Sequence, residues 1–135
     1  MTTIIEHLRR TIADRGEKPA SICRTERLTY SQLGDRISRF SNSLKHLGVN
    51  AGDRVAILSL NCHRFFEIYY AVPQIGAVIV PINFRIPAWE VKYIVDHSEA
   101  CAVVVDDAMA PLLDQVRPQL ESVRHFISIG DAVRD

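Results

Sequence analysis

The sequence lacks an excess of charge of either sign: 16 lysines and arginines balance 16 aspartates and glutamates. That balance removes the broad electrostatic attraction on which nucleic-acid and anionic-membrane binding rest, so no nucleic-acid partner is expected. Cysteine is scarce as well. Cys23, Cys62 and Cys101 are three in number, widely spaced and without a Cys-x-x-Cys pair, which argues against a disulfide framework or a zinc site and fits a reducing cytoplasm. No apolar run approaches the roughly 20 residues that a membrane-spanning helix needs. The opening stretch, MTTIIEHLRRTIADRG, mixes charge with apolar residues at helical spacing instead of forming the continuous apolar segment of a secretion signal. The expectation is a soluble, cytoplasmic chain. Internal repeats, low-complexity tracts and linkers are also missing.

Hydrophobic residues make up 47% and charged residues 24%, an ordinary globular composition. At 135 residues, a single domain spanning 1–135 is the default, with a core that buries about two-thirds of the unfolded surface.

Ile4, Ile5, Leu8 and Ile12 recur at helical spacing and predict a first helix stopping near Gly16 and Pro19. Ala20 to Arg24 and Leu28 to Thr29 read as a small hairpin around Thr25, Glu26 and Arg27. Thr29-Tyr30-Ser31-Gln32 has the form of a capping box, flanked by Leu28 and Leu33 as a staple. Leu33, Ile37, Phe40, Leu44 and Leu47 then share one helix face that Gly48 closes in a left-handed stop.

DRVAILSL predicts a buried strand, followed by a helix capped by Asn61, with Phe65, Ile68, Tyr69, Val72 and Ile75 on its face and Pro73 shortening its end. AVIV reads as a second buried strand. Pro87 is placed in the first turn of a helix carrying Val91, Ile94 and Val95. CAVVVDD is a third strand, Ala108 to Leu120 a helix, and Phe126 to Ile129 a last strand. Apolar strands alternating with helices predict an α/β fold, a parallel sheet with helices on both faces.

Several side chains are candidates for chemistry. PINFR, residues 81–85, leaves a strand at the carboxyl edge of the predicted sheet, where ligands collect in open α/β folds. Arg85 is open to two readings: a planar, permanently charged fork for a phosphate or carboxylate, or a surface salt bridge. Cys62-His63 could form a thiolate-imidazole pair, but adjacent residues at a helix start point apart and helix packing is the plainer reading. His97, with Asp96 and Glu99, reads as a helix-end charge cluster, and His7, His46 and His125 as solvated. Asp106-Asp107 could hold a metal or cap the next helix, with the cap preferred. Trp89, Tyr93, Phe65, Phe66, Tyr69 and Tyr70 could line an acyl pocket, but at helical spacing core packing is the expectation. Phe84 and Trp89 are the exceptions, being near the proposed strand-end cleft.

Taken together, LTYSQL, LKHLGVNAGDRVAILSLN, AVPQIGAVIVPINFR and EVKYIVDHSEACAVVVDD resemble, in order and spacing, the N-terminal part of the AMP-forming acyl-CoA synthetases. The resemblance runs from Leu28 through Val105. It implies the incomplete N-terminal subdomain of the acyl-adenylate-forming fold. It also implies a parent enzyme that activates a carboxylic acid, a fatty acid first, with ATP and Mg2+ to an acyl-adenylate and passes the acyl group to CoA.

By the same resemblance Arg85, with Asn83 two residues before it, matches an arginine that contacts CoA. Phe84 stands where the family commonly has proline. The chain has nothing resembling the family's Ser/Thr/Gly-rich phosphate loop, ribose-binding aspartate or catalytic lysine. The resemblance therefore implies a fragment with no catalytic residue of its own, inactive alone and not expected to bind ATP, Mg2+ or CoA tightly. Its partners would be the remainder of the parent enzyme and a small carboxylic acid, with self-association through an apolar face left uncovered. The alternative is an autonomous, non-catalytic α/β binding or interaction module.

Overall fold

Two capping boxes open the first two helices of the computed structural model, which describes residues 3–131. Thr3 accepts from Glu6 N and Glu6 from Thr3 N at the start of α1, Ile4–Arg15. At the start of α2, Tyr30–His46, Thr29 N donates to Gln32 Oε1 at 2.9 Å and Gln32 N to Thr29 Oγ1 at 3.2 Å, as the sequence predicts. Each exchange satisfies two backbone donors that a helix start leaves unpaired.

The chain divides into two units. The first comprises residues up to Gly48 together with Asn61–Gly76. It holds α1, the antiparallel hairpin β1 (Pro19–Cys23) and β2 (Glu26–Thr29), α2, and α3 (His63–Gln74). Leu8, Leu33, Ile37 and Ala71 form its buried cluster, with Ile12, Phe40 and Tyr70 packed against them. The hairpin turns on two residues only. Cys23 pairs with Glu26 and Ile22 with Arg27, so Glu26 and Arg27 belong to the strand and not to the turn; Arg24 makes the reversal at φ 55°. Leu47 is the C-cap of α2 and 40% exposed, beyond the apolar face expected to include it, while Gly48 takes the expected left-handed φ of 80°.

Helix α3 also departs from expectation. Its N-cap is Cys62, not Asn61, and no side chain caps it. Its buried residues are Glu67, Ile68, Ala71 and Val72; Tyr69 faces outward at 42% exposure. A salt bridge explains the offset, because Arg36 in α2 takes the Glu67 carboxylate at 2.5 Å and lets a charged side chain occupy the inner face. The helix ends one residue beyond Pro73.

The second unit comprises Val49–Leu60 and the chain from Ala77 onward. Strands β3 (Arg54–Leu58), β4 (Val78–Pro81), β5 (Ala102–Val105) and β6 (His125–Ser128) form a parallel sheet in the order β4-β3-β5-β6. All four residues of β5 and Val55–Leu58 of β3 are buried, so the two central strands are covered on both faces. Each such valine, leucine or isoleucine contributes about 1.5–3 kcal/mol relative to exposure. Strand β4, expected to be buried, is an edge strand with Val78 49% exposed. An unbroken apolar run does not reveal which strand of a sheet will have a neighbour on one side only.

Helix α4 (Ala88–Ser98) begins after Pro87, which is its N-cap and not a residue of its first turn. Ala56, Leu58, Val103 and Val105 from the sheet cluster with Val91 and Val95 of α4 and Ala110 and Leu113 of α5 (Ala110–Asp114). The long helix expected over Ala108–Leu120 is broken into α5 and a 3₁₀ turn at Arg117–Gln119. Pro111 and Pro118 each stand at the start of one piece, where a missing N–H costs nothing. No helix among the described residues is long and apolar enough to cross a membrane.

Candidate functional site

The strand ladder places several loops at one edge. Ile57 pairs with Pro81, Leu58 with Val105, and Val105 with Ser128. The four parallel strands thus end nearly level, and the segments after them emerge together at the carboxyl edge.

One of these segments carries Asn83 and Arg85. Ile82 N donates to Ile57 O at 2.9 Å, carrying the ladder one residue past β4. Ile82 is buried, while Phe84 and Ile86 are partly buried against the core. These three apolar anchors alternate with Asn83 and Arg85, which are exposed. The backbone is held by Arg85 N donating to Asn83 Oδ1 at 2.9 Å, a side-chain turn that asparagine makes readily. Arg85 then lays its guanidinium 5.4 Å from the centre of the Phe84 ring. Phe84 supplies both an apolar anchor and a face for the cation.

Asn83 therefore spends its side-chain oxygen on the loop itself. Arg85 has no carboxylate within ion-pairing distance among the described residues. The salt bridge that would have accounted for it is absent there, and a permanently charged fork stands exposed on a braced loop. Such a group can receive a phosphate or carboxylate.

Asp106 braces the same edge. Its Oδ2 accepts from Leu60 N at 2.8 Å and from the Ser59 hydroxyl at 3.0 Å, while Oδ1 accepts from Met109 N at 2.8 Å. One carboxylate thus ties the end of β3 to the segment leading into α5, but it does not cap that helix as expected: the N-cap is Met109 and no side chain caps it. Ser59 is buried beside it, and nothing in the sequence marks it, since a serine at a strand end carries no signal of its own. Asp107 accepts from Asp131 N at 2.8 Å. Gly130 passes so close that a Cβ there would lie 2.0 Å from the Asp107 carboxyl carbon.

The remaining candidates disperse. Cys62 and His63 share no hydrogen bond, and His63 Nδ1 is buried without a partner among the described residues. The charge cluster at His97 separates into other pairings: Asp96 takes Lys92, Glu99 takes Arg54, and the His97 ring stacks on Tyr93 at 5.5 Å. His7 and His46 are exposed, His125 is partly buried. Tyr93, expected in the core, is 63% exposed on α4, and Trp89, set apart from the core reading, is 68% exposed. Phe66 is exposed too, with its ring edge-on to Tyr70 at 5.3 Å, and Phe65 stacks on Tyr69 at 6.4 Å.

The opposite, amino edge of the sheet is a structural clamp. Arg54 donates to Ser98 O at 2.7 Å, Glu99 O at 3.1 Å and Glu99 Oε2 at 2.8 Å, closing the end of α4. Arg124 reaches Asp53 at 3.2 Å. The Cys101 side chain, and then Asp53, push the Arg124 pKa up from an already high value, so it is a fixed cation.

Comparison with known proteins agrees with this geometry. The family described as AMP-binding enzyme matches residues 8–134. The long-chain-fatty-acid–CoA ligase of Thermus thermophilus is 40% identical over 105 residues, 78% of this chain and 19% of that ligase. The crotonobetaine/carnitine–CoA ligase of Escherichia coli is 32% identical over 137 aligned residues, 95% of this chain and 26% of that ligase. Among solved structures, the N-terminal domain of FACL13 from Mycobacterium tuberculosis superposes with a TM-score of 0.91 at 32% identity, covering 96% of this chain and 34% of that one. The chain thus spans about a fifth to a quarter of the length of these curated relatives. With the family match covering nearly every residue and the parallel α/β architecture shared with an acyl-CoA ligase domain, the chain belongs to the AMP-binding enzyme family.

Proposed function

We propose that this chain is the N-terminal subdomain, residues 1–135, of an acid–CoA ligase. The whole enzyme joins a carboxylic acid, a fatty acid by preference, to CoA. The acid's carboxylate attacks the α-phosphorus of ATP, pyrophosphate leaves, and the acyl-adenylate forms. The CoA thiol then attacks the acyl carbon and AMP leaves. The observation that carries this reading is the 40% identity over 105 residues to a long-chain-fatty-acid–CoA ligase. The carnitine-type relative supports the reaction class while leaving the acid open to other members.

In this reading the chain supplies scaffold and one wall of the cleft. Arg85 offers its guanidinium to a phosphate of CoA, from a loop that Asn83 holds in shape. The Asp106 carboxylate accepts from three donors, so its part in this reading is to brace the edge and not to hold magnesium. Adenylation needs cationic or backbone donors around the leaving pyrophosphate. This chain has no Gly-rich cradle for them, and alone it does not turn over. Three free cysteines suit a cytoplasmic setting.

The test begins with the intact mass of the natural gene product. A mass several times 15.2 kDa is expected, and that protein should release pyrophosphate from ATP with a fatty acid and then form the CoA thioester. A natural product of 15.2 kDa, or a longer one that forms neither adenylate nor thioester with any acid of a broad panel, would overturn the reading in favour of a binding module.

A further inference from the structure

Arginines of the second unit are held in different ways. Arg54 donates to the Glu99 carboxylate at 2.8 Å and Arg124 to that of Asp53 at 3.2 Å. A carboxylate fixes the direction of such a side chain, but it also takes N–H donors and cancels the charge. Arg85 is fixed without one. Its guanidinium carbon lies 5.4 Å from the centre of the Phe84 ring, inside the range of about 6 Å over which a ring face attracts a cation. That attraction comes from the ring quadrupole, so it consumes no donor and leaves the positive charge in place. The Arg85 side chain makes no hydrogen bond or ion pair among the described residues.

The ring is fixed independently of the arginine. Phe84 is partly buried against the cluster that includes Ala56, Leu58 and Val91, while buried Ile82 and half-buried Ile86 pin the loop on either side of it. The backbone of Arg85 is set separately, by its N–H donating to Asn83 Oδ1 at 2.9 Å. Both ends of the long side chain are thus tied, one at the amide and one at the ring, and the stem between them loses freedom before a ligand arrives. An arginine free to rotate bears that ordering cost on binding, whereas a braced one does not. All of these contacts lie within one loop and the core beneath it, so they do not depend on what lies over the sheet edge.

We propose that Phe84 is a positioning residue for CoA binding: its ring holds the Arg85 guanidinium in place, fully charged and with its donors free, for a CoA phosphate. This rests on the ligase reading with Arg85 as the phosphate contact, and adds to it a side chain that acts only through Arg85.

The experiment measures, in the full-length enzyme that contains these residues, the CoA KM and kcat of thioester formation alongside pyrophosphate release in the adenylation half-reaction. Phe84→Leu and Phe84→Met keep an apolar anchor and remove the ring face. Each should raise the CoA KM about two- to fivefold, the strength of an exposed cation–ring contact, with kcat and pyrophosphate release unchanged. Phe84→Tyr keeps the face and should keep the original KM. In an Arg85→Ala background Phe84→Leu should add nothing, since the ring then has no cation to hold. Loss of pyrophosphate release together with the CoA effect in both apolar variants would make Phe84 a structural anchor and overturn the proposal. So would a Phe84→Tyr enzyme no better than Phe84→Leu, an equal effect of Phe84→Leu with and without Arg85, or a CoA KM that Phe84→Leu leaves unmoved while Arg85→Ala raises it. A CoA KM untouched by Arg85→Ala itself would remove the phosphate contact as well, and so overturn both readings of the loop.

Discussion

Arg36 Nε donates to Glu67 Oε1 at 2.5 Å, joining α2 to α3 within the first unit. The two ends are unequal: the Glu67 side chain is 8% exposed and that of Arg36 40%. Removing the arginine leaves a buried carboxylate without its cation, while removing the carboxylate frees an arginine that water can reach. Arg36→Met should therefore cost about 2 kcal/mol, a value discounted for the exposed partner, and Glu67→Gln about half as much. Urea unfolding of the two variants checks the order of their midpoints.

Asp106 holds three donors from two separate segments. Asp106→Ala leaves the Leu60 and Met109 backbone amides without their acceptor at the carboxyl edge, while the Ser59 hydroxyl keeps Leu60 O at 2.9 Å. A loss of about 2–4 kcal/mol is expected, from charge-assisted bonds that are cheap to keep and costly to break. Asp106→Asn should fall between, since its amide turns a donor toward at least one of the same donors. Thermal unfolding of the three proteins should rank them in that order.

Gly130 stands against the Asp107 carboxyl group, whose Oδ2 is already engaged by Asp131 N. Gly130→Ala pushes a methyl into space that the carboxylate occupies and should destabilise by about 1–3 kcal/mol. The double variant Gly130→Ala with Asp107→Gly removes the clash and should recover part of that loss in the same unfolding assay.

Arg85 gives a prediction in the longer enzyme. Arg85→Ala should raise the CoA KM by the loss of one charge-assisted bond, about 1.5–3 kcal/mol or roughly tenfold to a hundredfold. Pyrophosphate release in the adenylation half-reaction should be spared. An unchanged CoA response would remove Arg85 from the site.

What could be read from the sequence was whatever local chemistry decides. The capping box at Thr29, the left-handed stop at Gly48 and the apolar strands depend on neighbours a few residues away, and the structure contains them. The fold class followed from the alternation of those strands with helices. What stayed hidden depended on partners far along the chain. Glu67 looks solvent-facing until Arg36, 31 residues earlier, is placed beside it. Tyr93 looks like a core residue, because helical spacing marks a face without saying which way it turns. In the candidate site, Arg85 was visible as a cation at a strand end. That it has no carboxylate within ion-pairing distance among the described residues and rests on Phe84 is a fact of folded geometry.

The edge position of β4 has a consequence for how the chain behaves among other unfolded or partly folded chains. Val78 N donates to Asp53 O and Ile82 N to Ile57 O, so the amides at even-numbered positions turn toward β3 and those of residues 79 and 81 turn outward. Position 81 is a proline and has no hydrogen to give. The open margin of the sheet thus offers Ile79 as its one outward donor within the strand, too few to template a stranger's strand. A single ring that cannot donate makes a poor foothold for amyloid-like growth out of an otherwise apolar, β-branched segment.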